Sequence, residues 1–507
     1  MDAFELKEAT INDLQQRMVA GEWSAASLTE RYLERIDALD RQGPALHAVI
    51  EVNPDALSLA QALDEERETQ GLRGPLHGIP VLIKDNIDTA DRMTTTAGSL
   101  ALEGSHPGRD SFVARRLRQC GAVILGKTNM SEWANFRSQR SSSGWSGRGG
   151  QCRNPYALDR TPSGSSSGTG AAVAANLAVV GVGTETSGSI VSPASACSLV
   201  GIKPTHGLIS RSGIIPLSRS LDTAGPMART VRDAALLLGA LSGFDPDDDA
   251  SRPGRGQSPA EYTALLDADG LRGARLGVLR SHFGSHPWVE RLIEGRIEQM
   301  RSLGAVIIDP VEISHEEAGV YDVILSEFKE CLNAYLDGLG PAAPVHSLKA
   351  VIEFNERSAA KEMPFFGQEL LLAAEQAGLP TEAAYGDAQA RRHKAPGVLE
   401  ETFDQHALDA VVAPTGNPPW LIDWVNGDSP SGWPSVSGLA AISGWPHITV
   451  PAGSLVGLPI GLSFIGRAYS EPELLRLAYA FEQATRCRRA PEFRPTAVFS
   501  EVPGGRP

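Results

Sequence analysis

The sequence predicts an α/β protein whose central sheet is buried between layers of helices. Short apolar runs of strand length alternate with segments in which apolar residues recur at helical spacing. Hydrophobic residues make up 42% and charged residues 21% of the 507 residues, which is typical of a globular protein with a large core. Strands that are apolar on both faces belong to a sheet that is covered on both sides. We therefore predict one elaborated α/β domain that carries an insertion.

The elements follow this alternation along the chain. In order, they are a helical segment over 14–38, a strand core at Val81–Ile83, a helix over 112–120 leading into the strand Ala122–Leu125, a loop rich in Asp, Pro, Gly and Ser over 245–259, a strand over 274–279, a helix over 289–300 and a strand at Val306–Ile308. Residues from about 315 to 405 are mostly helical in pattern. We interpret this stretch as an insertion or cap over the site, after which residues of about 407–490 return to the core.

Two Gly/Ser-rich segments, 162–175 and 183–193, contain serines twenty-four residues apart, Ser165 and Ser189. Glycine and serine let a backbone approach a ligand closely. A nucleophilic serine needs a neighbouring base and backbone N–H donors for the oxyanion that forms when it attacks a carbonyl. The amides of Thr186, Ser187, Gly188 and Ser189 are not shielded by bulky side chains, and we expect the oxyanion hole among them.

Lys84 is the predicted base. The eleven histidines are scattered, and none is tied to a serine by its position in the sequence. Lys84 instead ends the apolar run 78–83, which reads as a buried strand. Burial disfavours the ammonium form and lowers the pKa of a lysine, so that a neutral amine can accept a proton. A Ser-Lys pair is a known variant of the catalytic triad, and Ser165 fits a bridging role between Lys84 and Ser189.

These blocks resemble the amidase signature family, whose hallmark is a G-S-S-x-G block followed by a G-[ST]-[DE]-x-x-G-S block. The likeness extends through Lys84-Asp-Asn and five more segments, so that it covers roughly the whole chain, with the signature core at about 70–235; these segments are 126–132, 201–207, 221–229, 413–415 and 457–463. The resemblance implies a large mixed sheet flanked by helices. It also implies Ser189 as the acylated nucleophile, Ser165 as the bridging serine after a cis peptide bond, and Lys84 as general base and later acid.

Departures from the family pattern narrow the subgroup. Glu185 stands where many members have Asp, and Val191 where many, including the glutamine amidotransferase A subunits, have Arg. The sequence of the segment 143–155 resembles that of peptide amidases and broad-range bacterial amidases, and carbamate-cleaving urethanases are close relatives of this group. The resemblance thus implies hydrolysis of a non-peptidic or C-terminal amide bond, without cofactor or metal, and carbamates and esters as further substrates.

Four residues near the motifs are expected to contact the substrate: Trp133, Ser163, Thr415 and Trp420. Large aromatic side chains on loops often wall a ligand pocket, although they also serve as packing anchors. Trp420 belongs to a group of four tryptophans within twenty-six residues, with Trp424, Trp433 and Trp445. We also expect an ion pair between Asp222 and Arg229, which flank an apolar segment of the signature core.

Composition excludes several classes of function. The formal net charge of −15 disfavours nucleic acid as a partner. No apolar run approaches the roughly twenty residues that span a bilayer, and the mixed charge at residues 1–8 lacks the apolar region of a signal peptide. Five cysteines without a C-x-x-C pair indicate neither a disulfide framework nor a zinc site. We expect a cytoplasmic monomer or homodimer that acts on a small-molecule amide or carbamate.

Three other functions stay open from the sequence. A glutamine amidotransferase A-type subunit would hydrolyse glutamine and pass ammonia to a partner, and the absence of Arg at position 191 weighs against it. A urethanase or esterase would use the same nucleophile, because carbamates and esters present the same carbonyl. A non-catalytic binding protein on the hydrolase fold would fail to label at Ser189 with a fluorophosphonate.

Overall fold

The computed structural model describes residues 6–258, 261–284, 286–313, 319–377, 382–429 and 436–499. The strands are β1 (Val49–Val52), β2 (Pro80–Lys84), β3 (Val123–Thr128), β4 (Trp145–Ser146), β5 (Gly150–Gln151), β6 (Val180–Glu185), β7 (Val200–Lys203), β8 (Thr223–Ala228), β9 (Arg275–Val278), β10 (Val306–Ile308), β11 (Ala410–Pro414), β12 (His447–Leu455) and β13 (Leu458–Ile465). The α-helices are α1 (Ile11–Val19), α2 (Ala25–Arg35), α3 (Ala56–Gln70), α4 (Phe112–Gln119), α5 (Ser167–Ala174), α6 (Val191–Ala196), α7 (Val231–Leu241), α8 (Pro287–Ser302), α9 (Gly319–Gly338), α10 (Leu348–Arg357), α11 (Ala359–Glu362), α12 (Glu369–Ala377), α13 (Glu382–His406), α14 (Ser437–Ser443) and α15 (Glu471–Thr485).

Eleven of these strands form one mixed sheet, in the order β1-β3-β2-β6-β8-β7-β12-β13-β11-β9-β10. Strands β2, β3 and β6 run parallel, as do β9, β10 and β11, and the other neighbours are antiparallel. Residues of β2, β3 and β6 are buried throughout, as expected for strands covered on both faces. The mixed sheet with flanking helices confirms the predicted fold class.

One local prediction needs correction. The helical pattern over 14–38 is divided between α1 and α2, because Gly21 has a left-handed φ of 71° and Ser24 caps the second helix through the backbone of Ser27. The segment 245–259 is a loop over its described part, apart from a short helical turn at 249–251, and most of its residues are exposed as predicted, whereas the Asp245 and Asp248 side chains are buried. Asp248 binds the guanidinium of Arg211 at 2.6 Å, which fastens this loop to the segment that follows β7.

The sheet brings the motif segments to one edge. Ile83 of β2 lies beside Val182 of β6 in parallel register, so the carboxyl ends of both strands, at Lys84 and Glu185, point the same way. Ligand sites of α/β sheets lie at the carboxyl ends of strands. Helices α9, α10 and α12 bury apolar residues against 97–136 and 215–221 in a hydrophobic cluster separate from the main core. These helices therefore cover segments that flank the strand ends.

Candidate active site

Lys84 is the last residue of β2, and its side chain is fully buried. Its Nζ lies 2.8 Å from Ser165 Oγ, 2.8 Å from Thr184 Oγ1 and 3.1 Å from the Thr184 carbonyl oxygen. Burial lowers the pKa of Lys84 to about 7, and the negative charges of Asp222 and Glu185 partly oppose this effect. The amine therefore reaches its neutral form near neutral pH.

Ser165 lies in a tight loop before α5, directly after a cis peptide bond with Gly164, as the family resemblance implied. A side chain at Gly164 would meet Ser131 Oγ at 2.3 Å, so only glycine fits there. The backbone N–H of Ser131 donates to the carbonyl of Ser165 at 3.1 Å, and the hydroxyl of Ser166 donates to the carbonyl of Thr184 at 3.0 Å. These bonds hold Ser165 against the end of β6 and thus against Lys84.

Ser189 lies in the loop between β6 and α6, and 9% of its surface is exposed. Its backbone carbonyl accepts from the Ser166 N–H at 3.1 Å, which places the two motif segments side by side. Within the described residues, no hydrogen bond joins the Ser189 hydroxyl to another group, that of Ser165 included. The contact between Lys84 and Ser165 is therefore present. Ser189 is held beside this pair by the backbone hydrogen bond between Ser166 and Ser189, and not by its hydroxyl.

Glu185 shapes this loop through its buried carboxylate. The carboxylate accepts from the backbone N–H groups of Gly188 at 2.8 Å, Ile190 at 2.7 Å and Val191 at 3.1 Å. Burial raises the pKa of Glu185, while these three bonds act in the opposite direction. Because the Gly188 N–H is already donated to Glu185, its predicted place in the oxyanion hole needs correction.

Thr186, Ser187 and Ser189 keep their backbone N–H groups without a hydrogen-bond acceptor among the residues that the structure describes. The hydroxyl of Thr186 donates to Asp222 at 2.6 Å, and Asp222 also accepts from the amides of Leu217 at 2.7 Å and Ser218 at 2.9 Å. The loop is therefore fixed at both ends, by Glu185 and by Asp222. Three amides at its tip are available to an oxyanion.

The expected ion pair between Asp222 and Arg229 is wrong. These residues stand at opposite ends of β8, a separation of roughly 20 Å at the rise of an extended strand. Arg229 instead donates to the backbone carbonyl of Ala178 at 2.9 Å and to that of Val173 at 3.2 Å. It ties the loop after α5 to the start of α7, away from Lys84.

The four expected substrate contacts fall into different environments. Trp133 is 1% exposed and belongs to the apolar cluster under α9, α10 and α12. Thr415 is also 1% exposed, and its hydroxyl is shared with Thr449 at 2.6 Å and Ser463 at 2.9 Å. The geometry therefore gives no support to either as a substrate contact, although both lie beside motif segments.

Ser163 and Trp420 lie on or beside the segment that leads to Ser165. Ser163 has a left-handed φ of 62°, and its carbonyl accepts from the Ser167 hydroxyl at 2.6 Å. The carbonyl of Trp420 accepts from Thr161 N–H at 2.9 Å, and its indole N–H donates to Asp428 at 2.9 Å. Of the other tryptophans in the group, Trp445 is buried in a third apolar cluster and Trp433 lies outside the described residues.

Sequence reasoning missed Thr184 as a partner of Lys84. Thr184 supplies both a hydroxyl and a carbonyl to Lys84 Nζ, and its hydroxyl also receives the side-chain N–H of Asn86 at 3.0 Å. The available signal was the position of Thr184 in the second motif block, two residues ahead of the predicted donors.

Across the described ranges, no group of three or more His, Cys, Asp or Glu side chains is placed to hold a metal ion. None of the helices in the described part of the chain is both long and apolar enough to cross a bilayer.

Comparisons with known proteins show which family the chain is similar to. The amidase family model matches residues 27–475. A probable amidase of Arabidopsis thaliana is 43% identical over 502 residues, covering 97% of this chain and 92% of that protein. The structure of native peptide amidase from Stenotrophomonas maltophilia is 50% identical with a TM-score of 0.91, covering 96% of this chain and 99% of that one. The A-type subunit of the glutamyl-tRNA(Gln) amidotransferase from Chloroflexus aurantiacus is 36% identical over 498 residues, covering 95% of this chain and 97% of that one. The chain belongs to the amidase signature family and is a hydrolase that acts on carbon–nitrogen bonds.

Proposed function

We propose that this protein hydrolyses C-terminal peptide amides and related linear amides, through an acyl-enzyme formed on Ser189. The observation that carries the proposal is the buried contact of Lys84 with Ser165, 2.8 Å long, at a lysine whose pKa is lowered to about 7. A buried amine that is neutral near pH 7 is suited to general base catalysis. The similarity to peptide amidase supports amides of peptides as the substrate class.

The surroundings of Lys84 favour one direction of proton transfer. A neutral amine has two hydrogens and one lone pair. The carbonyl of Thr184 can only accept a hydrogen. The Thr184 hydroxyl can donate its own hydrogen to the side-chain oxygen of Asn86 at 3.4 Å, which leaves it able to accept the second amine hydrogen. The lone pair is then left for the hydroxyl hydrogen of Ser165, which is the arrangement a base requires.

The proposed reaction transfers a proton from Ser189 through Ser165 to Lys84, and then from Lys84 through Ser165 to the leaving nitrogen. Lys84 takes the hydroxyl proton of Ser165 as Ser165 takes that of Ser189, after the Ser189 side chain turns toward Ser165. The Ser189 oxygen attacks the carbonyl carbon, and the reversed relay protonates the leaving nitrogen while the carbon–nitrogen bond breaks. Water, deprotonated by the same relay, then attacks the resulting ester, which releases the carboxylic acid and the free serine.

The oxyanion of each tetrahedral intermediate is proposed to bind the amides of Thr186, Ser187 and Ser189. Removal of one donor from an oxyanion hole typically lowers kcat by a factor of about 10² to 10³. Glu185 and Asp222 hold the loop on both sides, so that the donors need little reorganisation during the reaction. We propose Ser163 and Trp420 as nearby substrate contacts, and the helical segment of about 315–405 as a cap over the cleft.

The relative rates on four substrates test the proposal. We expect kcat/KM to be highest for a peptide C-terminal amide, compared with an anilide, an aryl carbamate and glutamine. Ser189→Ala serves as the blank, because it removes the attacking oxygen and leaves the fold in place. Undiminished hydrolysis by the Ser189→Ala protein would refute the acyl-enzyme, and a preference for the carbamate would make the protein a urethanase.

A glutamine amidotransferase component is the second candidate, supported by the 36% identity along nearly the whole of the Chloroflexus aurantiacus protein. Val191 opposes it, because a neutral side chain there offers no charge to the carboxylate of glutamine. Glutaminase activity that appears only with a co-purifying partner would favour this candidate. A cytoplasmic location and a monomeric or homodimeric state remain predictions from the sequence.

A further inference from the structure

Helix α9 carries a buried carboxylate that is bonded to the turn before β8. The side chain belongs to Glu327, which is 1% exposed. Its Oε2 accepts from the hydroxyl of Ser218 at 2.5 Å and from the backbone N–H of Ser220 at 3.0 Å. Its Oε1 accepts from the hydroxyl of Ser220 at 2.6 Å and from the side-chain N–H of Gln389 on α13 at 3.0 Å. Because each of these bonds has a direction as well as a length, Glu327 fixes the turn 217–222 relative to α9.

The same turn holds the loop that carries Ser189. The backbone N–H of Asp222 donates to the carbonyl of Ser218 at 3.0 Å. The carboxylate of Asp222 accepts from the Ser218 N–H at 2.9 Å and from the Thr186 hydroxyl at 2.6 Å. A continuous path of hydrogen bonds therefore leads from Glu327 through Ser218 and Asp222 to Thr186. Its last member belongs to the loop whose amides are the proposed oxyanion donors.

Apolar packing attaches α9 to the rest of the protein independently of Glu327. Fully buried apolar residues of this helix are Val323, Phe328, Leu332 and Leu336. The hydroxyl of Tyr335 on the same helix also donates to the carboxylate of Asp88 at 2.8 Å. A buried carboxylate gives little stability compared with an apolar side chain of similar size. The bonds of Glu327 therefore matter for the position of the turn more than for the attachment of the helix.

From these contacts we propose that Glu327 is a positioning residue for amide hydrolysis. It holds the turn 217–222, and through Asp222 the turn holds the loop 186–189 in the orientation that oxyanion binding requires. The inference rests on the proposed function, because it takes the amides of that loop as the oxyanion donors. It adds to the reaction a residue of α9 that acts through its neighbours and not by contact with the substrate.

The test compares Glu327→Leu with Glu327→Gln in the hydrolysis of a peptide amide. Leucine leaves the N–H of Ser220 without its acceptor. Glutamine keeps one oxygen for that N–H, and its own N–H group faces the Ser220 hydroxyl, which can accept. We expect Glu327→Leu to lower kcat at least about tenfold, since a misplacement of about 1 Å can cost up to about 10² in rate. KM should change less than about twofold, and Glu327→Gln should keep at least about half of kcat.

A double-mutant cycle separates positioning from loss of stability. Thr186→Val removes the hydroxyl at the far end of the path, so that the turn no longer holds the loop through Asp222. In the Thr186→Val protein, Glu327→Leu should therefore lower kcat by less than about threefold. A role of Glu327 in stability alone would give the same factor in both backgrounds.

Glu330→Gln is the matched control on the same helix. The carboxylate of Glu330 lies 3.2 Å from the guanidinium of Arg219 in the turn, and the two side chains are 54% and 49% exposed. An exposed ion pair contributes little, so kcat should be unchanged. Melting temperatures show whether Glu327→Leu folds. Ser220→Ala removes one hydroxyl from Glu327, should lower kcat about threefold, and carries the same cycle if Glu327→Leu is unfolded.

The other outcomes overturn the inference in distinguishable ways. An unchanged kcat in folded Glu327→Leu, equal losses in the leucine and glutamine variants, or the same factor in both Thr186 backgrounds would remove the positioning role and leave amide hydrolysis standing. A higher KM with unchanged kcat would also contradict it, because that result indicates lost substrate binding. Failure of the wild-type protein to cleave any amide would refute the proposed function, and the role of Glu327 with it.

Discussion

Replacement of Asp222 by asparagine tests the electrostatics of Lys84 through the pH dependence of kcat/KM. The pKa of Lys84 is about 7 because burial disfavours the ammonium form. The amine is then half neutral at pH 7, about one tenth neutral at pH 6 and about one hundredth neutral at pH 5. We therefore expect kcat/KM of the wild-type protein to fall about tenfold per pH unit below pH 7.

The carboxylate of Asp222 opposes the effect of burial, since a negative charge stabilises the ammonium form of Lys84. Asp222→Asn removes that charge and lowers the pKa of Lys84 further. An opposite charge nearby typically shifts a pKa by one to a few units. In the pH profile of kcat/KM, the acid limb, where the rate falls below pH 7, should therefore move to lower pH by about one unit. At pH 6 the variant then retains a larger share of its own maximal rate than the wild-type protein does.

The assay is kcat/KM from pH 5 to pH 9 on an uncharged peptide amide, so that the substrate itself does not titrate. Asp37→Asn is the matched control, because Asp37 is exposed in the short helical turn after α2 and should leave the limb in place. A flat wild-type profile down to pH 5 would refute a lysine base. A limb that moves to higher pH in Asp222→Asn would refute the assigned role of that carboxylate.

Four further changes have expected outcomes. Lys84→Ala should lower kcat by about 10³ or more, whereas Ser165→Ala should retain measurable turnover, because the relay partner can be replaced in part by water; equal losses in steady-state assays would contradict a bridging role. Gly188→Ala should reduce kcat about tenfold, since φ is +79° and the added Cβ would lie 2.9 Å from Ser437 Oγ, and unchanged kcat would show that the loop tolerates the strain. Glu132→Gln should flatten the pH dependence of stability measured by urea unfolding. Burial raises the pKa of Glu132 to about 8, so the folded state binds a proton more tightly than the unfolded state, and wild-type stability falls as pH rises from about 4.5 to about 8. The same slope of unfolding free energy against pH in the wild-type and Glu132→Gln proteins would contradict this role of Glu132.

The parts of the site that the sequence could predict depend on local order. Lys84 was recognised because it ends a buried strand, and Ser165 and Ser189 because small residues surround them. The fold class followed from the spacing of apolar residues, which is also a local property. Each of these features is encoded within about twenty residues of chain.

The parts that escaped prediction depend on contacts between distant segments. Glu185 decides which N–H groups of the 186–189 loop are available to an oxyanion, because its carboxylate accepts a hydrogen bond from the Gly188 N–H. Trp133 looked like a pocket wall from its motif, but helices that follow almost two hundred residues later bury it. The stack of Phe365 on Trp424 likewise joins segments whose proximity no local pattern encodes.

Trapping of the acyl-enzyme tests the central claim most directly. The protein is mixed with an activated ester or a fluorophosphonate, and the adduct is located by peptide mass spectrometry. We predict one adduct per chain, on Ser189, formed about tenfold more slowly at pH 6 than at pH 7 and absent from Ser189→Ala. An adduct on another residue, or full labelling of the Ser189→Ala protein, would contradict the account.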